Sequence, residues 1–483
     1  MTGSGDTGSG DTGGASGVVT RLPTAAGQAE ASLCLALDDD VLSVEIAEGR
    51  ASFHLPAERS CAVAVSSAAA QDWLQRMQAG GTRFAEWSAL TGTDPMGATR
   101  LLGDLTMRRL LVWWWGTPTR RLIEILPLSG RYMPVRAPAD AMAILQSSVP
   151  LALSPRIVMQ RRRASVALAD PVLEAELVIN PEGLDLLPAL LEEGGEAAGR
   201  LPTGLRDVLA VAGFLRPLDA EGPDGAAWNP LALAFHRETR MPLLLNRAGE
   251  AMVERPKAPP LARRADEAGI GAVALPDGPQ DRRSAPLDEI IARRVSRRRP
   301  GPRALTLTEL GGLLGGVARY RHDRAEIFPK GTMARNIPGG GGLCETDFNV
   351  AAWRVDGLAR GLWRYDGAAH RLLPLSDGAA IEGIMEDAAM RLYIDEERPD
   401  AVIVVSLRIS RLAHKYGAMS YRLAMLHAGV AVEALYLVAT DLDLACCAIG
   451  NGNGADFERA SGHHPLRETA LAEFAVSGSS AEP

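Results

Sequence analysis

The segment RLAHKYGAMSYRLAMLHAGVAVEALYLVATDLDLACCAIGNGNG, residues 411–454, limits the fold more than any other part of the chain. Its centre predicts one long helix over about 419–441, apolar on nearly every face, which runs into a short strand ending in glycines. A helix of that kind suits burial on all sides, so the chain has to build a large core around it. Two ionisable side chains, Lys415 and Tyr416, stand at the mouth of this most buried element.

The chain is long enough for such a core. Its 483 residues suggest roughly two to four domains. Hydrophobic residues make up 47% and charged residues 23%, an ordinary globular balance. The formal net charge of −8 argues against a general binder of nucleic acid or anionic membrane, both of which need positive surface. The cysteines, Cys34, Cys61, Cys344, Cys446 and Cys447, are scattered, odd in number and without a CxxC. They suit a reducing cytoplasm and speak against a zinc site or a disulfide framework. The N-terminus lacks the basic-then-apolar pattern of a signal peptide. No stretch is expected to reach the roughly 20 apolar residues of a membrane span, because Glu433, Asp441 and Asp443 interrupt the longest one, around 423–449.

Residues 1–17 repeat Gly, Ser, Thr and Asp and read as a disordered tail. Residues 30–135 read as a first module, with a hairpin in LSVEIAEGRASFHL, three short helices and a strand at LLVWWWG. Asp94 and Pro95 look like the cap and first residue of the third helix. This is the order of a winged helix-turn-helix. Residues 140–245 repeat the logic as a second module, with strands in IVMQRRRASVALAD and AELVIN, a helix in PEGLDLLPALLEEGG and a helix leading into a strand in GLRDVLAVAGFLRPLD, and WNPLALAFHRETR closes it. The Pro-, Arg- and Ala-rich residues 246–285 read as a linker. From 286 to 479 helices and strands alternate in an α+β pattern around one central mixed sheet.

Four features of this last domain suggest chemistry. In ARRVSRRRPG, Arg294, Ser296 and Arg298 alternate near a helix end, a good grip for phosphate because guanidinium forks onto its oxygens. The plain alternative is a solvated charged face. In IPGGGGLCETDFNV, Gly339, Gly340, Gly341 and Gly342 precede a strand, where a backbone could approach a flat ligand that any Cβ would strike. Gly450 and Gly452 close the strand 445–449 in a GxG spacing that is unspecific and lacks the context of a dinucleotide fold. Lys415 and Tyr416 could serve as base and partner if partial burial lowers the lysine pKa. Their plain reading is a helix-preceding loop.

Taken in order, the RxSxR element, the Pro-Gly loop, GLWRYDGAAHRLLPL, the Lys-Tyr pair and LYLVAT resemble the SagB-type thiazole/oxazole dehydrogenases, a branch of the FMN-dependent nitroreductase-like fold. The resemblance covers essentially all of 286–479. It implies FMN as cofactor and the oxidation of azoline rings in a ribosomally made precursor peptide. Arg294, Ser296 and Arg298 would then contact FMN, Gly339, Gly340 and Gly341 would lie against it, and Gly450 and Gly452 would approach from the other side. Lys415 and Tyr416 match the family's catalytic pair. The ring would lose a hydride to flavin N5 and a proton to a base in a dry pocket, and oxygen would reoxidise the flavin. No metal is implied.

The resemblance also implies a homodimer whose flavin pockets are each completed by both chains, with the 419–441 helix at or near the interface. The two N-terminal modules resemble peptide-clamp elements that bind leader peptides by strand addition, or dock a cyclodehydratase partner. There are departures. Gly339 replaces a common serine, His414 a common aromatic, and Glu433-Ala434 a common Gln followed by a small or amide residue. Competing readings are an NAD(P)H-dependent nitro or flavin reductase, a cofactor-free scaffold, and a DNA-binding winged helix that leans on Arg161, Arg162 and Arg163.

Overall fold

The computed structural model describes residues 31–39, 41–55, 59–65, 67–91, 94–108, 110–127, 132, 134, 151–173, 175–191, 200–217, 229–240, 271–279, 284–322, 332–394 and 397–478. They fall in two compact units, Met1–Leu245 and Asn246–Pro483. The tail expected at 1–17 lies outside the described residues.

In the first unit the helices Ala68–Ala79, Phe84–Thr91 and Pro95–Met107 precede a hairpin of Leu111–Thr117 and Arg120–Pro127. The local signals act as their chemistry requires. Ser67 Oγ accepts from Ala70 N at 3.2 Å, and Asp94 Oδ1 accepts from Gly97 N at 2.9 Å, each satisfying an orphan helix donor. PEGLDLLPALLEEGG, read as one helix, begins as a tighter 3-10 turn, Pro181–Leu186, before Leu187–Leu191.

The expected border between two modules is crossed by one sheet. Its seven strands run in the order Thr82–Arg83, Ser32–Leu37, Leu111–Thr117, Arg120–Pro127, Ala175–Ile179, Ser165–Asp170, Val158–Arg162. The join pairs Ile123, Ile125 and Pro127 with Ile179, Leu177 and Ala175, antiparallel. A single core holds Trp73, Trp87 and Trp113 from one half with Leu205, Leu209 and Phe214 from the other. The reason is visible in the strands: Ile123, Ile125, Leu177 and Ile179 are all fully buried, and neither half could cover them alone.

The second unit is α+β, as expected, with helices on both faces of one sheet. Strand order is Val273–Ala274, Arg371–Asp377, Gly361–Asp366, Thr346–Ala352, Ala401–Leu407, Thr469–Ser477, Ala445–Ile449. Every pairing in it is antiparallel, where a mixed sheet was expected. Residues 273–274, assigned to the linker, form its first strand. Strands Thr346–Ala352 and Ala401–Leu407 are buried at every position because both faces are covered. On one face Phe348, Val350, Ile403, Val405 and Phe474 meet Leu310, Leu314, Ala431 and Leu435. On the other Val402, Val404, Cys447 and Ala475 meet Ile384, Met385 and Phe457.

The long helix spans Ser420–Asp441. Ala424, Ala428, Ala431, Leu435 and Ala439 are buried, and this three- and four-residue spacing is one face of a helix. Burial on all sides is not reached within the chain. Tyr421, Met425, Leu426 and Val430 are 45%, 50%, 54% and 40% exposed. At 22 residues the helix is also long and apolar enough to cross a membrane by length and composition, which corrects the expectation that no stretch would be. Here it packs on the sheet.

Candidate functional site

The Lys-Tyr pair closes a short helix, Ser410–Tyr416, which stops at Gly417 with φ 53°. The chain then turns through Gly417–Met419 into the long helix. Against this corner folds the glycine loop, whose Gly340–Gly342 form a single 3-10 turn. Gly340 is buried, and a Cβ there would lie 2.5 Å from Leu412 Cδ2 and 3.4 Å from Tyr416 Cε2. Gly341 has φ 61°, and its Cβ would lie 2.8 Å from Lys415 Nζ and 3.0 Å from the Tyr416 hydroxyl. These glycines are therefore required by side chains of their own chain, whatever else they approach. Gly339, by contrast, is exposed, and among the described residues a Cβ there would have only Glu345 Oε2 near it, at 3.5 Å.

Lys415 and Tyr416 do not hydrogen-bond each other. The ammonium sits 5.3 Å from the phenol ring centre, a cation–π distance. Tyr416 is half-buried, while Lys415 is exposed. The dry surroundings expected for the lysine are thus not supplied by the described residues of this chain.

Two residues that the sequence reading passed over complete this corner. Glu345, at the end of the glycine loop, is 1% exposed. Its Oε1 receives a short hydrogen bond from His427 Nδ1 on the long helix. Burial pushes the Glu345 carboxyl up, but the bond from His427, helped by Arg335, outweighs it and holds the group below its ordinary range. The second oxygen, Oε2, is buried and has no hydrogen-bond partner among the described residues. His427 Cε1 lies 3.5 Å from the Cβ position over Gly340 that Tyr416 also faces. The signal was there in the sequence: an acid just ahead of the strand in GLCETDF and a lone histidine in an apolar helix.

Arg294, Ser296 and Arg298 form a second cluster. The helix Leu287–Arg293 ends just before them, so they lie on non-helical chain instead of extending the helix through RRVSRRR. Arg294 stands over the Tyr436 ring at 5.3 Å. The Ser296 and Tyr436 hydroxyls are 2.9 Å apart, and Ala448 N donates to Tyr436 Oη at 2.7 Å. Arg297 N donates to Cys446 O, and its guanidinium pairs with Asp443 at 3.2 Å. Arg298 is exposed, and among the described residues neither it nor Arg294 is paired with a carboxylate. Unneutralised guanidiniums beside a hydroxyl fit the phosphate of a flavin mononucleotide, the charged part of that cofactor.

The two clusters touch the long helix nine residues apart, at His427 and Tyr436, about 13 Å along its axis and on opposite sides. One chain does not bring them together.

Gly450 and Gly452 follow the strand Ala445–Ile449. Among the described residues none beyond its chain neighbours lies within 4 Å of a Cβ at Gly450, whereas one at Gly452 would meet Glu473 Oε2 at 2.3 Å. Glu473 lines a small recess with Asp387, Val404, Asn453 and Phe457. Burial, with Asp387 nearby, pushes its carboxyl up to about 7. The GLWRYDGAAH segment is explained by packing: Tyr365 Oη and His370 Nδ1 are 2.7 Å apart, and His370 Nε2 lies 3.0 Å from Pro276 O. A carbonyl only accepts, so Nε2 carries the hydrogen and the tyrosine donates to Nδ1.

Residues 333–472 match the family model described as the nitroreductase family. The match takes in the glycine loop, the Lys-Tyr pair and the long helix, and starts after the Arg294–Arg298 segment. This C-terminal region is therefore of an oxidoreductase type. A search of curated proteins gives no match. Among solved structures, one described as a nitroreductase from Anabaena variabilis is similar at 14% identity, over 93% of this chain and 80% of that one, with a TM-score of 0.38. The Escherichia coli microcin synthetase McbBCD complex with truncated pro-MccB17 bound is similar at 15% identity, over 46% of this chain and 82% of that one, with a TM-score of 0.33. One described as a nitroreductase in complex with FMN, from Desulfovibrio desulfuricans, is similar at 16% identity, over 41% of this chain and 89% of that one, with a TM-score of 0.26.

Proposed function

We propose that the protein is an FMN-dependent azoline dehydrogenase that oxidises thiazoline or oxazoline rings of a ribosomally made peptide, working as a homodimer. The observation that carries this reading is the meeting of Lys415, Tyr416 and the glycine loop in one corner, although more than seventy residues separate loop and pair. A pair of ionisable groups held beside a close-approaching backbone is what removal of a proton from a ring carbon needs.

FMN, when bound, supplies the acceptor for the hydride and passes the electrons to oxygen. The chain's own residues do the rest. Arg294 and Arg298 hold the phosphate, and Ser296 adds a hydroxyl while Tyr436 fixes its position. The Lys415-Tyr416 pair takes the ring proton. Since Lys415 is exposed on the single chain, its desolvation comes from the bound peptide and from a second copy. The distance between the two clusters favours the same dimer, in which the phosphate grip of one chain serves the Lys-Tyr corner of the other. The exposed apolar stripe of the long helix is the surface that would join them. The N-terminal unit would hold the precursor peptide or a cyclodehydratase partner, and its sheet ends in an edge strand, Val158–Arg162, able to accept another.

The family description of 333–472 favours one alternative, a nitro or flavin reductase fed by NAD(P)H. The test is the intact mass of a cyclodehydrated peptide incubated with the yellow protein in air. Loss of one hydrogen pair per ring supports the dehydrogenase. Unchanged peptide together with rapid NAD(P)H-dependent reduction of nitroaromatics sinks it. Lys415→Ala and Tyr416→Phe should each keep the flavin and lose about a hundredfold or more in rate, the scale of a removed acid–base group.

A further inference from the structure

The proposed chemistry leaves one buried acid without a task. Glu345 is a carboxylate whose Oε1 is bonded to His427 and whose Oε2 is bonded to nothing among the described residues. An ionised carboxylate only accepts hydrogen bonds, so His427 Nδ1 must carry the hydrogen. In its neutral form the imidazole is thereby fixed in one tautomer, with Nε2 as its lone-pair nitrogen. Its ring faces the same point over Gly340 as the Tyr416 ring, at 3.5 and 3.4 Å. The imidazole is 15% exposed, so water reaches it.

We infer that His427, oriented by Glu345, is the proton exit of the Lys415-Tyr416 site. The inference rests on the dehydrogenase reading for its chemical purpose. The ring carbon's C–H bond breaks and its proton joins the Lys-Tyr pair. That new N–H or O–H bond then breaks as an Nε2–H bond forms on His427. The resulting imidazolium is balanced by the Glu345 carboxylate and releases its proton to water. A bound FMN would supply the hydride acceptor and oxygen would reoxidise it. Among the described residues, the charged and titratable groups placed near His427 are Glu345, with Arg335 behind it, from the loop side, and Tyr416, next to Lys415, from the short helix. Its helix neighbours one turn away, Leu423, Ala424, Val430 and Ala431, carry no charge.

A plain alternative is that the pair only staples the loop to the helix. His427→Gln separates the two, because an amide can still donate to Glu345 but cannot accept and release a proton. On the flavin-loaded protein, the relay predicts unchanged melting temperature and flavin content and a rate of peptide oxidation down about a hundredfold. In His427→Ala, added imidazole should restore much of the rate. A His427→Gln protein that oxidises peptide within about twofold of wild type overturns the inference, as would absence of rescue in a folded His427→Ala.

A second readout needs no turnover. In protein labelled with ¹⁵N at histidine, His427 should show a protonated Nδ1 and a bare Nε2, and the Nε2 resonance should move in Tyr416→Phe and in Lys415→Met. An Nε2–H tautomer, or a resonance indifferent to both substitutions, overturns the inference. If wild type fails to oxidise any azoline peptide, the dehydrogenase reading falls while this spectrum still decides whether His427 is joined to the pair.

Discussion

Gly340 sits where a methyl group has no room. A Cβ would lie 2.5 Å from Leu412 Cδ2, and Leu412 is itself fully buried. Gly340→Ala should therefore lower stability by about 1–3 kcal/mol, the usual cost of overpacking, and displace the loop from Tyr416. Chemical denaturation together with the rate of peptide oxidation would check both effects. A second prediction concerns Glu473, whose carboxyl is pushed up to about 7 by burial and by Asp387. Its folded-state pKa lies above the ordinary carboxyl value, so the folded form holds its proton more tightly. The stability this gives is present in full below about pH 4 and is lost as pH rises through 7. Glu473→Gln should flatten the fall in melting temperature between about pH 5 and 8. A slope as steep as wild type would contradict the assignment.

At the scale of elements, the long helix shows what pattern reading can and cannot find. Its apolarity was plain in the sequence, as was the short strand that follows it, because period and composition are local properties. What the helix packs on is not local. Ala424, Ala428, Ala431 and Leu435 face the sheet while Met425, Leu426 and Val430 face out, and an all-apolar helix gives no clue to which side is which. The same limit hid the continuous N-terminal sheet, since the pairing of Ile125 with Leu177 joins residues from two stretches that each looked complete. It hid the Glu345–His427 bond for the same reason, the partners lying on different elements. The glycine loop, the Lys-Tyr pair and the arginine segment were legible because each is a short run, but their separation into two clusters was not. The exposed stripe makes a direct prediction. Met425→Glu with Val430→Glu should turn a dimer into a monomer in sedimentation, with loss of flavin, because two charges per chain would be buried at a matched face. A dimer that survives the pair of substitutions would move the interface elsewhere.

At the scale of the whole molecule, a unit whose sheet ends in the strand Val158–Arg162 is followed by a unit that matches the nitroreductase family over 333–472, and the proposed proton chemistry lies at one corner of the latter. In the proposed reaction, electrons enter the flavin from a peptide ring. The most direct measurement is to mix the oxidised, flavin-loaded protein with an azoline peptide without oxygen or nicotinamide and follow the flavin absorbance in a single turnover. The account predicts bleaching in step with aromatisation of one ring per flavin, slowed in Lys415→Ala and Tyr416→Phe. A flavin that stays oxidised with the peptide and bleaches only when NADH or NADPH is added would contradict it and leave a reductase in its place.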